Sequence, residues 1–271
     1  MKTLYLRVLG IGIRVRCPDP YSYGLLLKGY SAFLTAADAE PALDYTVLPL
    51  SPAGFELLLD GQPAETAEDE YELLYFFEKH MTIEVQKRRQ DLLFMHAAAL
   101  DLDGRALILV APSGSGKSTT TWALLNNGLR YLSDELAPIE LATLRVHAYP
   151  HALCLKAVPP EPFGLPDETL HTSHTLHVPV EYFPGELCQE PTPLAAIFFL
   201  RYDPAAGEPA VRPISKGEAG ARIYSNALNL LAHSRYGLDA AVTVANHSRC
   251  YELISSDLQK TCALIKSTLR S

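Results

Sequence analysis

A glycine-rich segment near the middle of the chain constrains its fold more than any other feature. Residues 105–121 read RALILVAPSGSGKSTTT, an apolar run followed by two closely spaced glycines, a lysine and four hydroxyl residues. The run from Ala106 to Val110 is continuously apolar, as expected of a strand that is buried on both faces. Trp122 and Leu125 then follow helical spacing, and Gly128 provides a stop signal. The segment therefore predicts a buried strand, a tight turn and a helix.

The turn carries the residue types of a P-loop (Walker A) motif. Glycines let backbone N–H groups approach phosphate oxygens, and the N-terminus of a helix adds partial positive charge. In this motif the lysine, Lys117, reaches the β- and γ-phosphates, and the hydroxyl of Ser118 is a ligand for Mg²⁺. With ATP as co-substrate and Mg²⁺ as cofactor, we expect the nucleotide to contact Ser113, Gly114, Ser115, Gly116, Lys117, Ser118 and Thr119. The full motif has glycine where this chain has Ala111, and a methyl group fits there if φ is negative.

Two adjacent acids follow the next predicted strand, in the sequence LRYLSDE at residues 129–135. A helix of ten residues is about 15 Å long, which returns the chain to the edge of the sheet where it began. A second parallel strand then delivers Asp134 and Glu135 beside the phosphate loop, because ligands bind at the carboxyl ends of parallel strands. One acid can accept a hydroxyl proton while the other holds a metal. The alternative is that both acids only open the turn before Pro138.

Two further features are interpreted as peripheral. Asp203 follows a later apolar run, where many ATPases carry the metal-binding acid, but the adjacent Pro204 favours the tip of a hairpin. His171, His174 and His177 are spaced by three, and neither a cysteine nor an acid completes a tetrahedral zinc site nearby. We therefore predict a solvated loop that covers the active site, in line with the proline-rich segment before it.

Three short segments resemble the catalytic domain of HPr kinase/phosphorylase. They are MHAAAL at residues 95–100, APSGSGKST at 111–119 and LSDE at 132–135. The resemblance is closer still to the smaller HPr-kinase-like proteins of peptide-maturation clusters, including the lasso-peptide precursor kinases. It is specific over residues 92–140, diffuse over 141–271, and rests on little in the first 60 residues.

The resemblance implies a fold related to phosphoenolpyruvate carboxykinase and transfer of a nucleotide γ-phosphoryl group to a serine of a protein or peptide. By matching position, Lys117 would bind phosphate, Ser118 would hold Mg²⁺ and Asp134 would be the general base. Glu135 matches a second family aspartate and is assigned to the metal. His96 matches a family histidine near the reaction centre that helps to orient the base, although a lone histidine between apolar residues is also typical of a buried structural residue. The segment for reverse phosphorolysis is not evident, so only kinase activity is expected.

The fold class expected from these features is α/β, with an HPr-kinase-like P-loop core and a small β-rich N-terminal module. Alternating segments at 3–15, 22–28 and 44–60 predict strands. A helix is expected to open in the acidic stretch from Glu65 to Glu72 and to continue, with a break, to about Asp91. We expect two domains. Residues 1–90 form the β-rich module and a connecting helix, and this part is expected to recognise a peptide. Residues 91–271 form the nucleotide-binding catalytic domain.

Composition limits the classes of partner. The 271 residues carry a formal net charge of −8, which argues against a broad nucleic-acid or membrane-surface footprint. No apolar run reaches the ~18 residues of a membrane-spanning helix. The five cysteines are scattered and never spaced as CxxC, which favours a reduced, cytoplasmic protein. The sequence is compatible with a homo-oligomer.

Three functions remain after these exclusions. The first is an ATP- and Mg²⁺-dependent serine kinase that acts on a peptide or small protein, foremost a lasso-type precursor peptide. The second is a kinase for a small molecule such as free serine or a sugar, which would use the same chemistry with a different pocket. The third is a nucleotide-binding sensor without catalytic activity.

Overall fold

The computed structural model describes residues 1–37 and 40–271. Its strands, in chain order, are β1 (Lys2–Val8), β2 (Ile11–Cys17), β3 (Leu43–Pro49), β4 (Phe55–Leu59), β5 (Gln62–Ala67), β6 (Leu92–His96), β7 (Ala98–Leu102), β8 (Arg105–Val110), β9 (Arg130–Ser133), β10 (Leu136–Glu140), β11 (Arg145–Val146), β12 (Leu153–Leu155), β13 (Leu170–His171), β14 (Leu176–Val178), β15 (Thr192–Tyr202), β16 (Ala210–Pro213) and β17 (Arg249–Ser255). Its α-helices are α1 (Pro20–Tyr30), α2 (Glu70–Arg88), α3 (Lys117–Asn126), α4 (Lys216–Asn226), α5 (Leu238–His247) and α6 (Leu258–Arg270). The chain therefore has mixed α/β structure with several sheets.

The chain divides into two compact units, and each unit is built from three separate segments of the chain. The first unit contains residues 1–89, 150–158 and 165–182, and the second contains 90–149, 159–164 and 183–271. Our two-domain expectation placed everything after residue 90 in one domain. In the structure, two segments from that part of the chain belong to the first unit instead.

The first unit is built on a five-stranded sheet in the order β1-β2-β3-β4-β5. Strands β2 and β3 are parallel, and the other neighbours are antiparallel. Burial alternates along β1, where Leu4, Leu6 and Val8 are buried, as in a sheet with one face in the core. Helices α1 and α2 contact these strands, and Phe77 of α2 packs its ring edge against Tyr45.

The predicted strand at 22–28 is wrong, because these residues lie in α1. The carboxylate of Asp19 accepts hydrogen bonds from the backbone N–H groups of Tyr21 and Ser22, both at 2.9 Å, and so caps the helix. Pro20 stands in the first turn, where its fixed φ favours a helix start. These start signals outweigh the alternation that favoured a strand.

The helix that was expected to open within the acidic stretch from Glu65 to Glu72 begins at Glu70, in the second half of that stretch. Residues Gln62–Ala67 form β5, and α2 begins at Glu70 after Asp69, whose carboxylate accepts a hydrogen bond from the N–H of Glu72 at 2.9 Å. The helix then runs without the expected break to Arg88. The acidic stretch therefore spans the end of a strand and the first turn of a helix.

A small three-stranded sheet, β12-β14-β13, also belongs to the first unit. The predicted histidine loop is wrong in this respect, since His171 lies in β13 and His177 in β14, on either side of a tight turn. Thr172 and Thr175 close that turn, with the hydroxyl of Thr172 donating to the Thr175 carbonyl at 3.0 Å. The segment is a hairpin held by its own hydrogen bonds.

The second unit contains a nine-stranded sheet whose path runs β6-β10-β11-β15-β8-β7-β9, with β17 beside β15 and β16 beside β17. Strand β15 is parallel to both β8 and β17. Strand β9 has the same direction as β8, because both are antiparallel to β7 between them. The carboxyl ends of β8, β9, β15 and β17 therefore meet at one edge of the sheet, where ligands bind in sheets of this kind.

Both faces of the central strand β8 are buried, as the apolar run predicted. Ile108 and Val110 belong to a core cluster with Ile223 of α4 and Val244 of α5. The intervening Leu107 and Leu109 are also fully buried, and α3 contacts β7 and β8. Within the described ranges, no helix combines the length and apolarity that crossing a bilayer requires.

Candidate functional site

The glycine-rich turn between β8 and α3 has the backbone that its glycines predict. Gly114 and Gly116 have φ values of +82° and +85°, in the left-handed region that side chains disfavour. Gly116 is also the N-cap of α3, and its carbonyl accepts the first helical hydrogen bond from Thr120 N at 2.8 Å. Ala111, which replaces the motif glycine, is buried and is not among the residues with positive φ, so its methyl group is accommodated.

Lys117 is the first residue of α3, and its ammonium group lies among the two acids that follow β9. Its Nζ donates to the Asp134 carbonyl oxygen and lies 3.3 Å from both Asp134 Oδ1 and Glu135 Oε1. Burial acts to lower the pKa of Lys117, but the negative charges of Asp134 and Glu135 outweigh it and raise the pKa above its usual value. The lysine is therefore held in its charged form.

Ser118 meets the same aspartate from the next position of the helix. Its Oγ donates to Asp134 Oδ2 at 2.7 Å, while the Asp134 side chain has no exposed area. The structure thus places Asp134, the expected general base, in contact with both Lys117 of the expected phosphate site and Ser118 of the expected metal site. A hydroxyl and a carboxylate are oxygen donors of the kind that Mg²⁺ prefers, so this pair fits that ion.

Glu135 has different surroundings from its neighbour. Its side chain is 36% exposed, and its Oε2 lies 3.0 Å from Nε2 of His96, whose side chain is 42% exposed. His96 ends β6, and its backbone pairs with Leu136 of the antiparallel β10, which follows Glu135 directly. The histidine is therefore a partly exposed neighbour of an acid, which differs from the buried structural residue that the sequence also allowed.

The remaining predicted contacts lie around the turn. Ser113 and Gly114 are exposed, while Ser115 and Thr119 are half-buried. The N–H of Ser115 donates to the Pro112 carbonyl at 3.1 Å, which closes the turn just before the helix. These positions are open enough to meet a ligand at the edge of the sheet.

Asp203 does not lie at a hairpin tip, so that expectation is wrong. It follows β15, but the next strand, β16, pairs with β17 rather than with β15. The Asp203 carboxylate accepts hydrogen bonds from Arg201 and from the N–H of Ala205, both at 3.1 Å. The acid therefore stabilises a local turn.

Sequence reasoning missed a second group of residues at this edge. Tyr202 ends β15, and residues 255–259 join the end of β17 to the start of α6, beside the glycine-rich turn. A signal was present, since the apolar run before Ser255 is followed by Ser256, Asp257 and a helical pattern. It is another strand, turn and helix, but its turn lacks the glycines and the lysine of the P-loop motif.

Comparison with known proteins finds similarity among solved structures only. No protein-family model matches the sequence, and no curated protein sequence matches it at a significant level. Among solved structures, the chain is similar to the Hpr(Ser) kinase/phosphatase from Coxiella burnetii, with 12% sequence identity and a TM-score of 0.33. The match covers 65% of this chain and 93% of that chain. A likeness of this size leaves the chemistry to be inferred from the side chains of the site.

Proposed function

We propose that this chain is a phosphotransferase that moves the γ-phosphoryl group of ATP to a hydroxyl group, with Mg²⁺ as cofactor. The observation that carries the proposal is the meeting of Lys117 Nζ and Ser118 Oγ with the fully buried Asp134, at the edge of a mixed sheet where β8 and β9 both end. A glycine turn with two left-handed residues, placed directly before this helix, supports phosphate binding.

The phosphate contacts belong to the turn and to the first residues of α3. The first N–H groups of any α-helix lack partners inside the helix, so those at Lys117 and Ser118 are available to phosphate oxygens. Lys117 supplies the positive charge, and binding a nucleotide draws it from the acids toward the β- and γ-phosphates. A magnesium ion at Ser118 and Asp134 would neutralise charge on the phosphates.

The geometry supports a division of labour between the acids that reverses the one expected from the resemblance. Asp134 is fully buried, and its oxygens contact Lys117 and Ser118, which suits a metal-facing carboxylate. Glu135 is the more exposed acid, which suits contact with an acceptor. We therefore assign the general base to Glu135 and the metal side to Asp134, with His96 as a positioning residue for Glu135.

The proposed transfer needs only the acceptor hydroxyl, the Glu135 carboxylate and ATP to account for each bond and proton. The acceptor hydroxyl lies in line with the γ-phosphorus, and its proton passes to the Glu135 carboxylate as its oxygen forms the new P–O bond. The bond from the γ-phosphorus to the bridging oxygen breaks, and ADP leaves with the electron pair. Catalysis of this kind is mostly positioning and charge stabilisation.

For the acceptor, we propose a serine of a peptide or small protein, foremost a lasso-type precursor peptide. The support is the resemblance of the three short segments, together with a first unit whose sheet offers edge strands for an extended peptide. The second candidate, a free metabolite such as serine or a sugar, would need only the second unit.

An acceptor screen tests the proposal. The purified chain is incubated with MgATP and either peptides encoded beside its gene, free serine or simple sugars, and products are measured by intact mass. We expect one phosphoryl group on a serine-containing peptide and none on the metabolites. Phosphorylation of a metabolite alone would favour the second candidate, and bound ATP without turnover on any acceptor would favour a sensor.

A further inference from the structure

The outward side of α2 carries aromatic rings, although the exposed side of a surface helix is usually charged or polar. Tyr71 and Tyr75 are one helical turn apart, and their rings stack with centroids 6.4 Å apart and planes 15° apart. Tyr75 is 54% exposed, whereas Phe77 on the core side of the same helix is fully buried. The two tyrosine rings therefore contribute to a surface and not to the core.

The hairpin of β13 and β14 adds a third ring to this surface. His174 lies exposed at the turn of the hairpin, and its ring meets the Tyr71 ring edge-on, with centroids 4.9 Å apart. The hydroxyl of Ser173 donates to the Asp69 carboxylate at 2.7 Å, just before α2 begins. The hairpin is therefore held against the start of the helix, and the rings of His174, Tyr71 and Tyr75 form one row.

Helix α1 contributes a fourth ring. Tyr21 is 58% exposed and stacks on Phe55, with ring centroids 6.4 Å apart. Burial and the negative charge of Glu70 raise the pKa of Tyr21, so this ring lies near the first acid of α2. We call Tyr21, Tyr71, Tyr75 and His174 the aromatic face. All four residues belong to the first unit. A group of exposed aromatic rings is typical of a surface that binds a partner.

The charges along the aromatic face decide which partner fits it. Residues 65–78 carry six acids and neither lysine nor arginine. Glu68 is exposed and Glu70 is half-exposed, so both carboxylates reach solvent beside the rings. A partner with positive charge is attracted by these acids, and a partner with negative charge is repelled.

The chain itself shows how this chemistry holds a cation. Lys79, at the end of the acidic stretch, has its Nζ 2.9 Å from Glu65 Oε1. The same ammonium group lies 5.4 Å from the centroid of the Phe76 ring, within the range of a cation–π contact. One lysine is thus bound by a carboxylate and an aromatic ring together. The aromatic face offers the same two groups to a lysine or arginine from outside.

We propose that the aromatic face binds a segment of the acceptor peptide that is rich in lysine and arginine, apart from the serine that is phosphorylated. The inference rests on the proposed function, because it takes the acceptor to be a peptide. The basic side chains lie over the tyrosine rings with their charged groups near Glu68 and Glu70, in the way that Lys79 is held. Docking of this kind raises the local concentration of the acceptor, so it lowers KM for the peptide and leaves kcat unchanged.

Binding of two matched peptides to the full chain tests the aromatic face. The first probe is a fluorescein-labelled peptide of alternating lysine, arginine and glycine, and the second has norleucine for lysine and citrulline for arginine. Fluorescence anisotropy is measured without nucleotide. For the wild type at low salt we expect the basic peptide to bind at least about tenfold more tightly than the neutral one, and the difference to shrink at high salt.

Substitution of one ring separates the aromatic face from general attraction to an acidic chain. Tyr75→Ala should weaken binding of the basic peptide roughly threefold to fivefold, the size of a lost cation–π contact at an exposed site. Tyr75→Phe keeps the ring and should bind as the wild type does. Tyr236→Ala is the matched control, because Tyr236 is an exposed tyrosine of the second unit, and it should leave binding unchanged.

A charge variant keeps the test decisive if Tyr75→Ala melts early. Glu70→Gln should weaken binding of the basic peptide roughly twofold to fivefold at low salt, whereas Glu186→Gln, at an exposed acid of the second unit, should not. Wild-type affinity in both Tyr75→Ala and Glu70→Gln, or equal affinity of the wild type for the two peptides, would overturn the aromatic face. Failure of the proposed function is distinguishable, because it shows as absence of transfer from MgATP to any acceptor.

Discussion

Asp134 and Glu135 are adjacent in the chain, yet their side chains have opposite surroundings. The side chain of Asp134 has no exposed area and contacts Lys117 and Ser118, whereas Glu135 is 36% exposed and contacts His96. Sequence spacing placed both acids at the site but could not tell which one faces the helix. That choice depends on how the chain turns after Ser133, at the end of β9.

This difference predicts different kinetic effects for the two amide variants. Glu135→Gln removes the proposed proton acceptor and should lower kcat by about a hundredfold or more, with little change in KM for ATP. Asp134→Asn removes the proposed metal contact and should raise KM for MgATP and the Mg²⁺ concentration needed. Steady-state kinetics with varied MgATP and Mg²⁺ measures both effects.

An exposed glutamate of the same unit provides the control. Glu186→Gln changes one exposed carboxyl group outside the site and should leave kcat and KM at the wild-type values. The reverse pattern, with Asp134→Asn losing kcat and Glu135→Gln losing affinity for MgATP, would restore the roles expected from the resemblance.

A half-buried histidine of the first unit predicts a pH dependence of stability. Burial, with a smaller contribution from His151, lowers the pKa of His177 to about 4. The unfolded chain titrates near 6.5, so between pH 6.5 and 4 it binds more protons than the folded chain, and stability falls as the pH falls. This one group should cost about 2 kcal/mol between pH 7 and pH 5.

Urea unfolding at both pH values measures this contribution. His177→Gln keeps a polar side chain for Thr175 and should lose less stability between pH 7 and pH 5 than the wild type, by that amount. His171→Gln is the control, because that histidine is exposed and should leave the pH dependence unchanged. Identical pH dependence in His177→Gln and the wild type would contradict the assignment.

At the scale of elements, α1 shows how short signals decide a structure. Alternation over residues 22–28 favoured a strand. Asp19 and Pro20 are helix-start signals, and the cap geometry shows that they prevail. Asp19→Ala should therefore lower the free energy of unfolding by about 1 kcal/mol, measured in urea.

The control for this prediction is Asp167→Ala, at an exposed aspartate in a turn of the same unit. It should leave the free energy of unfolding within about 0.5 kcal/mol of the wild type. Equal stability of Asp19→Ala and Asp167→Ala would show that the cap does not stabilise α1.

Elements that depend on local pattern could be predicted, and those that depend on distant partners could not. The strand, turn and helix at 105–126 follow from an apolar run, two glycines and helical spacing, and the structure has all three. The acids after β9 were expected at the same edge, and they are there. That β7 lies between β8 and β9 depends on pairing over long range, which no local pattern encodes.

The segments beside the glycine-rich turn were missed for the same reason. Residues 160–163 and 255–259 are far apart in the chain and carry no shared motif. They meet because Trp122 fixes one segment and α6 packs on α3 from the other side. Only the folded chain brings these contacts together.

At the scale of the whole molecule, the units are built from interleaved segments. Residues 150–158 and 165–182 join the first unit, although the chain has already entered the second. Composition and Pro- or Gly-rich stretches mark boundaries between consecutive domains, and they cannot mark a segment that returns. A single boundary near residue 90 therefore does not describe the two segments that return to the first unit.

The net charge of the whole chain limits which groups can bind a nucleoside triphosphate. At −8 the overall field repels a nucleoside triphosphate, so affinity must come from the turn, the start of α3, Lys117 and a divalent cation. Lys117 is also the group that neutralises Asp134 in the structure. Loss of this single charge should therefore affect the phosphate site far more than loss of any exposed lysine.

The measurement that tests this most directly is transfer of the γ-phosphoryl group from ATP to a serine-containing peptide by the wild type, Lys117→Ala and Lys28→Ala. Lys28 is an exposed lysine of α1 and serves as the control. Melting curves establish that each variant is folded. We predict that Lys117→Ala lowers transfer at least about a hundredfold while Lys28→Ala matches the wild type. Transfer by folded Lys117→Ala at the wild-type rate would contradict the phosphate site.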